Sequence, residues 1–321
     1  MPKIAYIFPG QGSQAVGMGQ NLCTHSPAAQ AVFDEADSLV GMKLSTLCFY
    51  GPEESLRQTI HTQPALFVMS VAVLRALQEA GAPPPEAVAG HSVGEYAALF
   101  AAGAFDFETG LRLVERRAQE MHRATLSRPG VMAAILGLTG AQAAAACSEA
   151  EATGAGAVQP ANFNGGGQVV ISGSPEGVAR ASEIAKTNGA RRVLPLAVSG
   201  AFHSPLMAPA VEAMAYALAD AAILDVALPV VANLTAGYEQ RADEIRTSLA
   251  AQIDHPVRWE ESIERLVADG FDCFVEVGAG TVLAGLMKRI APAVKTYSVG
   301  DTAGVKAFAE AMGANNPPLG S

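Results

Sequence analysis

The sequence predicts an α/β fold with two parts: a large domain built on a mainly parallel sheet, and a small subdomain inserted into it. Short apolar runs alternate with longer segments of helical periodicity on both sides of the middle of the chain. Between residues 131 and 198 the predicted order becomes strand, helix, strand, strand, helix, strand, which is the order of a ferredoxin-like unit. We therefore expect a large domain from segments 1–128 and 199–313, a ferredoxin-like subdomain at 129–198, and a flexible tail at 314–321.

In the large domain, the first eight residues predict a buried strand, and apolar residues at helical spacing predict helices at 62–80 and 107–125. Pro64 falls in the first turn of the earlier helix, where proline is tolerated. The final part of the chain predicts a helix at 206–221 and strands at 229–232, 273–277 and 296–299. Because helices separate these strands, the sheet should be mainly parallel.

In the subdomain, strands are predicted at 131–136, 157–162, 168–172 and 191–197, and helices at 140–152 and 176–188. The three glycines at 165–167 join two of these strands. They therefore predict a flexible hairpin connection, because a phosphate-binding loop would precede a helix.

The composition indicates a globular protein with a sizeable core, since 50% of its 321 residues are hydrophobic. No stretch reaches 18 uninterrupted apolar residues, so we expect no membrane partner. The apolar start ends at Pro9 and Gly10, too early for a signal peptide. The formal charge of −10 argues against a nucleic-acid partner, because phosphate binding needs clustered Lys and Arg.

The cysteines argue against both a metal site and a disulfide framework. The chain has four, with no Cys-x-x-Cys pair: Cys23, Cys48, Cys147 and Cys273. This usage is typical of a reducing compartment, and we expect a cytoplasmic protein without bound metal.

The sequence Gly90-His91-Ser92-Val93-Gly94 has the Gly-x-Ser-x-Gly form of a nucleophile elbow. A short apolar run precedes it and an apolar-faced helix follows, so the large domain is predicted to be α/β-hydrolase-like. Ser92 would then stand exposed at a helix N-terminus, where N–H groups favour a developing negative charge. The alternative is an ordinary capping serine in a glycine-flanked turn. A second glycine-rich turn, at 9–14, fits neither a P-loop nor a dinucleotide fingerprint and predicts an oxyanion-type turn.

A serine nucleophile needs a base, and His203 is the best placed of the six histidines, in a short turn before a helix at the edge of the resumed domain. His91 adjoins the serine, so its side chain should point away from Ser92. The remaining histidines lie in polar surroundings typical of the surface: His25, His61, His122 and His255. Arg117 lies beside the apolar stripe of its helix and needs an anion, either a protein carboxylate in a structural salt bridge or a substrate.

Motifs along the whole chain resemble those of malonyl-CoA:acyl carrier protein transacylases, members of the acyltransferase family of fatty acid and polyketide synthesis. The matching stretches are Phe-Pro-Gly-Gln-Gly-Ser-Gln at 8–14, Thr-Gln-Pro-Ala-Leu at 62–66, Gly-His-Ser-Val-Gly-Glu at 90–95, Arg117 four residues before Met121, Asn-Phe-Asn at 162–164, Gln-Val-Val-Ile-Ser-Gly at 168–173, Ala-Phe-His-Ser-Pro-Leu-Met at 201–207, Gln252 four residues before Pro256, and Glu-Val-Gly at 276–278.

The resemblance implies a role for each matching residue. It makes Ser92 the nucleophile, His203 its base and Arg117 the partner of the malonyl carboxylate. The backbone amides of Gln11 and Val93 would form the oxyanion hole, and the backbone carbonyl of Gln252 would orient His203. It further implies four substrate-binding residues: Gln63, His91, Asn162 and Phe202.

The resemblance implies ping-pong transfer of malonyl from malonyl-CoA to the phosphopantetheine thiol of acyl carrier protein, with no cofactor beyond the CoA thioester itself. We expect a monomer. The alternatives are a trans-acting polyketide acyltransferase, an acyl-thioester hydrolase with the same Ser-His pair, and a noncatalytic docking module. The intact Ser92, His203 and Arg117 argue against the docking module.

Carrier proteins are acidic, so docking requires a local basic patch. The candidates are Lys186, Arg191, Arg192, Lys288 and Arg289.

Overall fold

A computed structural model describes residues 2–313, so the predicted tail at 314–321 lies outside the described residues. Its strands are β1 (Ile4–Phe8), β2 (Ala87–Gly90), β3 (Val131–Leu136), β4 (Val158–Gly165), β5 (Gln168–Gly173), β6 (Arg192–Pro195), β7 (Val230–Val231), β8 (Tyr238–Glu239), β9 (Cys273–Val277) and β10 (Lys295–Val299). Its α-helices are α1 (Gln20–His25), α2 (Pro27–Leu39), α3 (Leu44–Tyr50), α4 (Glu53–Leu56), α5 (Thr59–Glu79), α6 (Gly94–Ala102), α7 (Phe107–Ser127), α8 (Gly140–Ala152), α9 (Pro175–Thr187), α10 (Ala208–Asp220), α11 (Ala242–Ala251), α12 (Trp259–Ala268), α13 (Val282–Ile290) and α14 (Thr302–Ala311).

The larger sheet has the strand order β10-β9-β1-β2-β7-β8. Every neighbouring pair in it is parallel except β7 and β8. Strands β1, β2 and β9 are buried along their whole length, as expected for a parallel sheet covered on both faces. The predicted mainly parallel sheet is confirmed, and the carboxyl ends of β1 and β2 bring the two glycine-rich turns together.

The smaller sheet is antiparallel with the order β4-β5-β3-β6, and α8 and α9 pack on it. This is the predicted ferredoxin-like arrangement. Strand β4 runs to Gly165, three residues beyond its predicted end, and Gly165, Gly166 and Gly167 all have positive φ in the connection to β5. Strand β6 is shorter than predicted because it is an edge strand with mostly exposed residues, which an apolar pattern marks poorly.

The prediction for α5 was wrong at its start. The helix begins at Thr59, so Pro64 lies inside it and not in the first turn. The added residues are mostly polar: Thr59, Ile60 and His61. The Thr62 hydroxyl also donates to the Leu56 carbonyl at 2.5 Å, a hydrogen bond that the spacing of apolar residues does not reveal. By length and composition α5 could cross a membrane, but 83% of its most apolar window is buried in the core.

The predicted helix at 206–221 is divided. A 3-10 turn covers Pro205–Met207, and α10 follows from Ala208 to Asp220.

Candidate active site

The turn between β2 and α6 holds Ser92 in a strained backbone conformation. Its φ is 54°, in the left-handed region that side chains rarely adopt. A Cβ at Gly90 would overlap the Gly94 carbonyl group, and a Cβ at Gly94 would overlap the Phe8 carbonyl oxygen of β1. The turn is therefore as tight as the Gly-x-Ser-x-Gly spacing predicts, and only glycine fits on either side.

His203 lies against Ser92, with 2.8 Å between its Nε2 and the serine Oγ. Its Nδ1 is 2.7 Å from the Gln252 carbonyl oxygen and 3.2 Å from that of His255. Because a carbonyl oxygen can only accept, Nδ1 carries the ring hydrogen and Nε2 is left as an acceptor for the Ser92 hydroxyl. Backbone carbonyls thus occupy the place that a carboxylate takes in a Ser-His-Asp triad.

Burial, and next the charge of Arg117, lower the pKa of His203 to about 3. The imidazole is therefore neutral near pH 7 and able to accept a proton. Both causes disfavour the imidazolium form, so anything that compensates the Arg117 charge makes this base stronger.

Arg117, on α7, is buried with three neutral oxygen partners. One Nη donates to Gln63 Oε1 at 2.7 Å, and the other donates to Gln252 Oε1 at 2.8 Å and to Ser92 Oγ at 3.1 Å. Its Nε has no partner within residues 2–313, and no carboxylate in that range forms an ion pair with it. The structural salt bridge, one of the two alternatives for this residue, is therefore wrong. The nearest carboxylate influence comes from Glu95, which is joined to Arg117 only through the Gln252 side chain, so the guanidinium beside Ser92 has no direct anionic partner.

Two backbone amides are free on the other side of Ser92. Within the described part of the chain, neither the Gln11 N–H nor the Val93 N–H donates a hydrogen bond. The Gln11 side chain is turned away and donates to Thr59 Oγ1 at 3.3 Å. Two N–H groups beside the serine are the arrangement that stabilises a tetrahedral oxyanion.

These groups line one small cavity of about 90 Å³, far below the roughly 300–1,000 Å³ of pockets for larger ligands, so it suits a short acyl group. The tenth predicted site residue, Gln252, contacts His203 from outside the cavity. The other nine line the cavity: Gln11, Gln63, His91, Ser92, Val93, Arg117, Asn162, Phe202 and His203. Sequence reasoning missed its apolar wall: Met121, Met132, Leu196 and Val198. Only nearness to Arg117 and His203 in the chain could have suggested part of this wall.

His91 connects the elbow to the smaller sheet. Its Nε2 lies 2.8 Å from Asn164 Oδ1 on β4, and its ring packs against Trp259 with centroids 5.4 Å apart. As predicted, its ring nitrogen is engaged away from Ser92.

The five predicted basic residues separate into two groups. Arg191, Arg192 and Arg289 line an open pocket of about 360 Å³ together with Gly166 and Gly167 of the β4–β5 hairpin. Lys186, in the last turn of α9, and Lys288, in the last turn of α13, lie outside it. Asn162 of the Ser92 cavity and Gly166 of the basic pocket are four residues apart on this hairpin, which places them at most about 13 Å apart, the reach of a fully extended strand.

A strained serine, a histidine held by carbonyls and two free amides are characteristic of serine-dependent acyl transfer. No group of three His, Cys, Asp or Glu side chains within residues 2–313 is placed to hold a metal ion.

Comparison with known proteins agrees with this class. The family model of the acyl transferase domain matches residues 5–305. A malonyl CoA-acyl carrier protein transacylase of Bacillus subtilis (strain 168) is 46% identical over 301 residues, 94% of this chain and 94% of the relative. A polyketide biosynthesis malonyl CoA-acyl carrier protein transacylase of Bacillus velezensis is 44% identical over 292 residues, 89% of this chain and 96% of the relative.

A solved structure, a type II polyketide synthase acyl carrier protein in complex with its malonyl-transacylase, superposes with a TM-score of 0.93 at 43% identity, covering 96% of this chain and 99% of that chain. The chain belongs to the acyl transferase family and, within it, to the malonyl CoA-acyl carrier protein transacylases.

Proposed function

We propose that this protein transfers a malonyl group from malonyl-CoA to the phosphopantetheine thiol of an acyl carrier protein, through a malonyl ester of Ser92. The observation that carries the proposal is the buried Arg117 guanidinium, which has no carboxylate in direct contact within residues 2–313 and lies 3.1 Å from the Ser92 hydroxyl. The names of the relatives support it, since they act on malonyl-CoA and a carrier protein.

In the first half-reaction, Ser92 Oγ attacks the thioester carbonyl carbon while its proton passes to His203 Nε2. The carbonyl oxygen becomes negative and accepts the Gln11 and Val93 N–H groups. The intermediate then breaks its C–S bond, and the CoA sulfur leaves with the proton held by His203.

In the second half-reaction, the carrier thiol gives its proton to His203 and attacks the same carbonyl carbon. The ester C–O bond breaks, and Ser92 Oγ recovers the proton from His203. The site starts the next cycle unchanged, so this scheme needs no cofactor.

Arg117 selects the acyl group because its planar guanidinium pairs with a carboxylate in a bidentate manner. That pairing compensates the charge that opposes imidazolium formation on His203. The malonyl carboxylate therefore both binds and strengthens the base, whereas a neutral acyl group does neither.

The proposal includes a cytoplasmic monomer. One chain supplies every group in the scheme, so no second copy is required. The four cysteines are free and buried, as suits a reducing compartment. One relative is named as a transacylase of polyketide biosynthesis, and an assay that offers carrier proteins of both fatty acid and polyketide synthesis identifies the recipient.

The central test is the covalent intermediate. Wild-type protein incubated with malonyl-CoA should gain the mass of one malonyl group. Ser92→Ala should gain none, because Ser92 is the only hydroxyl residue among the described residues that line the cavity. Adding carrier protein should move the label to the carrier, whereas loss of the label to water without a carrier would identify the hydrolase alternative. An adduct that persists in Ser92→Ala would contradict the proposal.

A further inference from the structure

The buried side-chain amide of Asn233 bridges the turn that carries Ser92. Asn233 follows β7, the neighbour of β2 in the sheet, and is fully buried. Its Oδ1 accepts the Ser92 N–H at 2.7 Å, and its Nδ2 donates to the Gly90 carbonyl at 2.6 Å. One side chain thus satisfies two main-chain groups of the strand-to-helix turn.

This bridge opposes the strain at Ser92. A non-glycine residue in the left-handed region is strained and persists only when its surroundings hold it there. Leaving one buried hydrogen-bonding group unpaired is also costly. The Asn233 hydrogen bonds therefore favour the strained conformation of Ser92.

The side chain of Gln252 holds the next peptide group. Its Nε2 donates to the Ser92 carbonyl oxygen at 3.0 Å. Because a trans peptide is planar, the Val93 N–H in the same plane points the opposite way, toward the cavity that Val93 lines. Gln252 thereby fixes the direction of a proposed oxyanion donor.

Glu95 accepts hydrogen bonds from both Gln252 and Asn233 and so links the two residues. Its carboxylate accepts from Gln252 Nε2, and it accepts the Asn233 backbone N–H at 3.3 Å. Glu95 is fully buried, which raises its pKa well above the ordinary value, and in such a dry environment lost hydrogen bonds are expensive.

We propose that Asn233 is a positioning residue for acyl transfer: by holding both sides of the elbow, and with Gln252, it keeps Ser92 Oγ against His203 and the Val93 N–H directed into the cavity. The inference rests on the function proposed above. Its predicted effect, however, belongs to the geometry of Ser92 and not to recognition of the malonyl carboxylate.

The test replaces Asn233 and follows the reactivity of Ser92 in two ways. In Asn233→Ala, the maximal rate of Ser92 acylation by malonyl-CoA and by acetyl-CoA should fall by the same factor, about 10²-fold, because a small misplacement of reacting groups costs that much. The malonyl-CoA concentration for half-maximal rate should stay within about twofold, since Arg117 is untouched. Labelling of Ser92 by a neutral fluorophosphonate should slow in parallel.

Ser26→Ala is the matched control. It removes a buried hydroxyl that caps α2 and donates to Glu79, and its hydrogen bonds involve no residue of the elbow. Asn233→Leu, which has nearly the same shape as asparagine without its polar atoms, serves as a second variant if Asn233→Ala does not fold. Fluorophosphonate labelling as fast as in Ser26→Ala, or a loss confined to malonyl-CoA, would overturn the role of Asn233. Fluorophosphonate labelling needs no acyl-CoA. It therefore tests whether Asn233 positions Ser92 even if no malonyl-serine ester is found.

Discussion

At the scale of single residues, Arg117 links recognition to chemistry. It is 1% exposed, yet its partners in the described residues are amide and hydroxyl oxygens and not a carboxylate. A buried cation without an opposite charge is costly, and a substrate carboxylate would relieve that cost. The preference for malonyl should therefore depend on this one side chain.

Arg117→Ala should reverse the acyl preference. Loss of a desolvated, charge-assisted pair costs about 2–5 kcal/mol, a drop of roughly 30-fold to several thousandfold in kcat/KM for malonyl-CoA. Acetyl-CoA should be used as well as before or better, because it offers no carboxylate to pair. Arg116→Ala is the control, since Arg116 is the preceding residue of α7 and instead pairs with Glu120 at 2.9 Å. Equal losses for both substrates in Arg117→Ala would mean that Arg117 is structural.

At the scale of elements, the packing of α6 against β1 determines where Ser92 lies. Gly94, the first residue of α6, approaches the Phe8 carbonyl of β1 so closely that no side chain fits between them. The N–H of Val93, the residue before α6 and unpaired within residues 2–313, then lies at the cavity at the positive end of the helix dipole. The close approach of the two backbones is thus a requirement of the site as well as of the fold.

Gly94→Ala should damage both stability and activity. Its Cβ would meet backbone, which cannot move aside as a side chain can, so the free energy of unfolding should fall by about 1–3 kcal/mol or more. Displacement of the elbow should also slow acylation of Ser92. Gly285→Ala, in the open middle of α13, should be neutral or slightly stabilising. Denaturant unfolding and the malonyl adduct assay measure the two effects, and a Gly94→Ala protein as stable and active as wild type would contradict this account of the turn.

At the scale of the whole molecule, one pocket concentrates positive charge although the net charge of the chain is negative. The formal net charge is −10, yet Arg191, Arg192 and Arg289 meet at one pocket beside the β4–β5 hairpin that also lines the Ser92 cavity. An acidic carrier would be repelled by the molecule as a whole and attracted by this pocket. We therefore propose that the pocket lies on the side where the carrier docks.

Charge reversal at this pocket should weaken use of the carrier. Arg192→Glu and Arg289→Glu should each raise the KM for acyl carrier protein roughly 3–10-fold at low salt, and the effect should shrink as screening shortens to about 8 Å at physiological ionic strength. Arg57→Glu makes the same charge change just after α4 and should leave the KM unchanged. Equal effects of all three variants, or none from the pocket arginines, would place docking elsewhere.

The sequence determined the elements whose ends carry local signals. Strand β3, helix α8 and strand β9 have the predicted bounds, and α8 begins at a capping box formed by Thr139 and Gln142. The tight elbow was also predictable, because the requirement for glycine on both sides of Ser92 is a local steric one. The start of α5 was not, since its first turn is polar and carries no apolar period.

Only the tertiary structure decided what surrounds these local features. Arg117 finds its amide partners 54 and 135 residues away, so no spacing rule could distinguish them from a carboxylate. Asn233 belongs to none of the motifs that carry the family resemblance, and its contact with Ser92 joins residues 141 positions apart. Hydrogen bonds and charge compensation depend on distances of a few ångströms between distant segments, and those distances are set when the sheets and helices pack together.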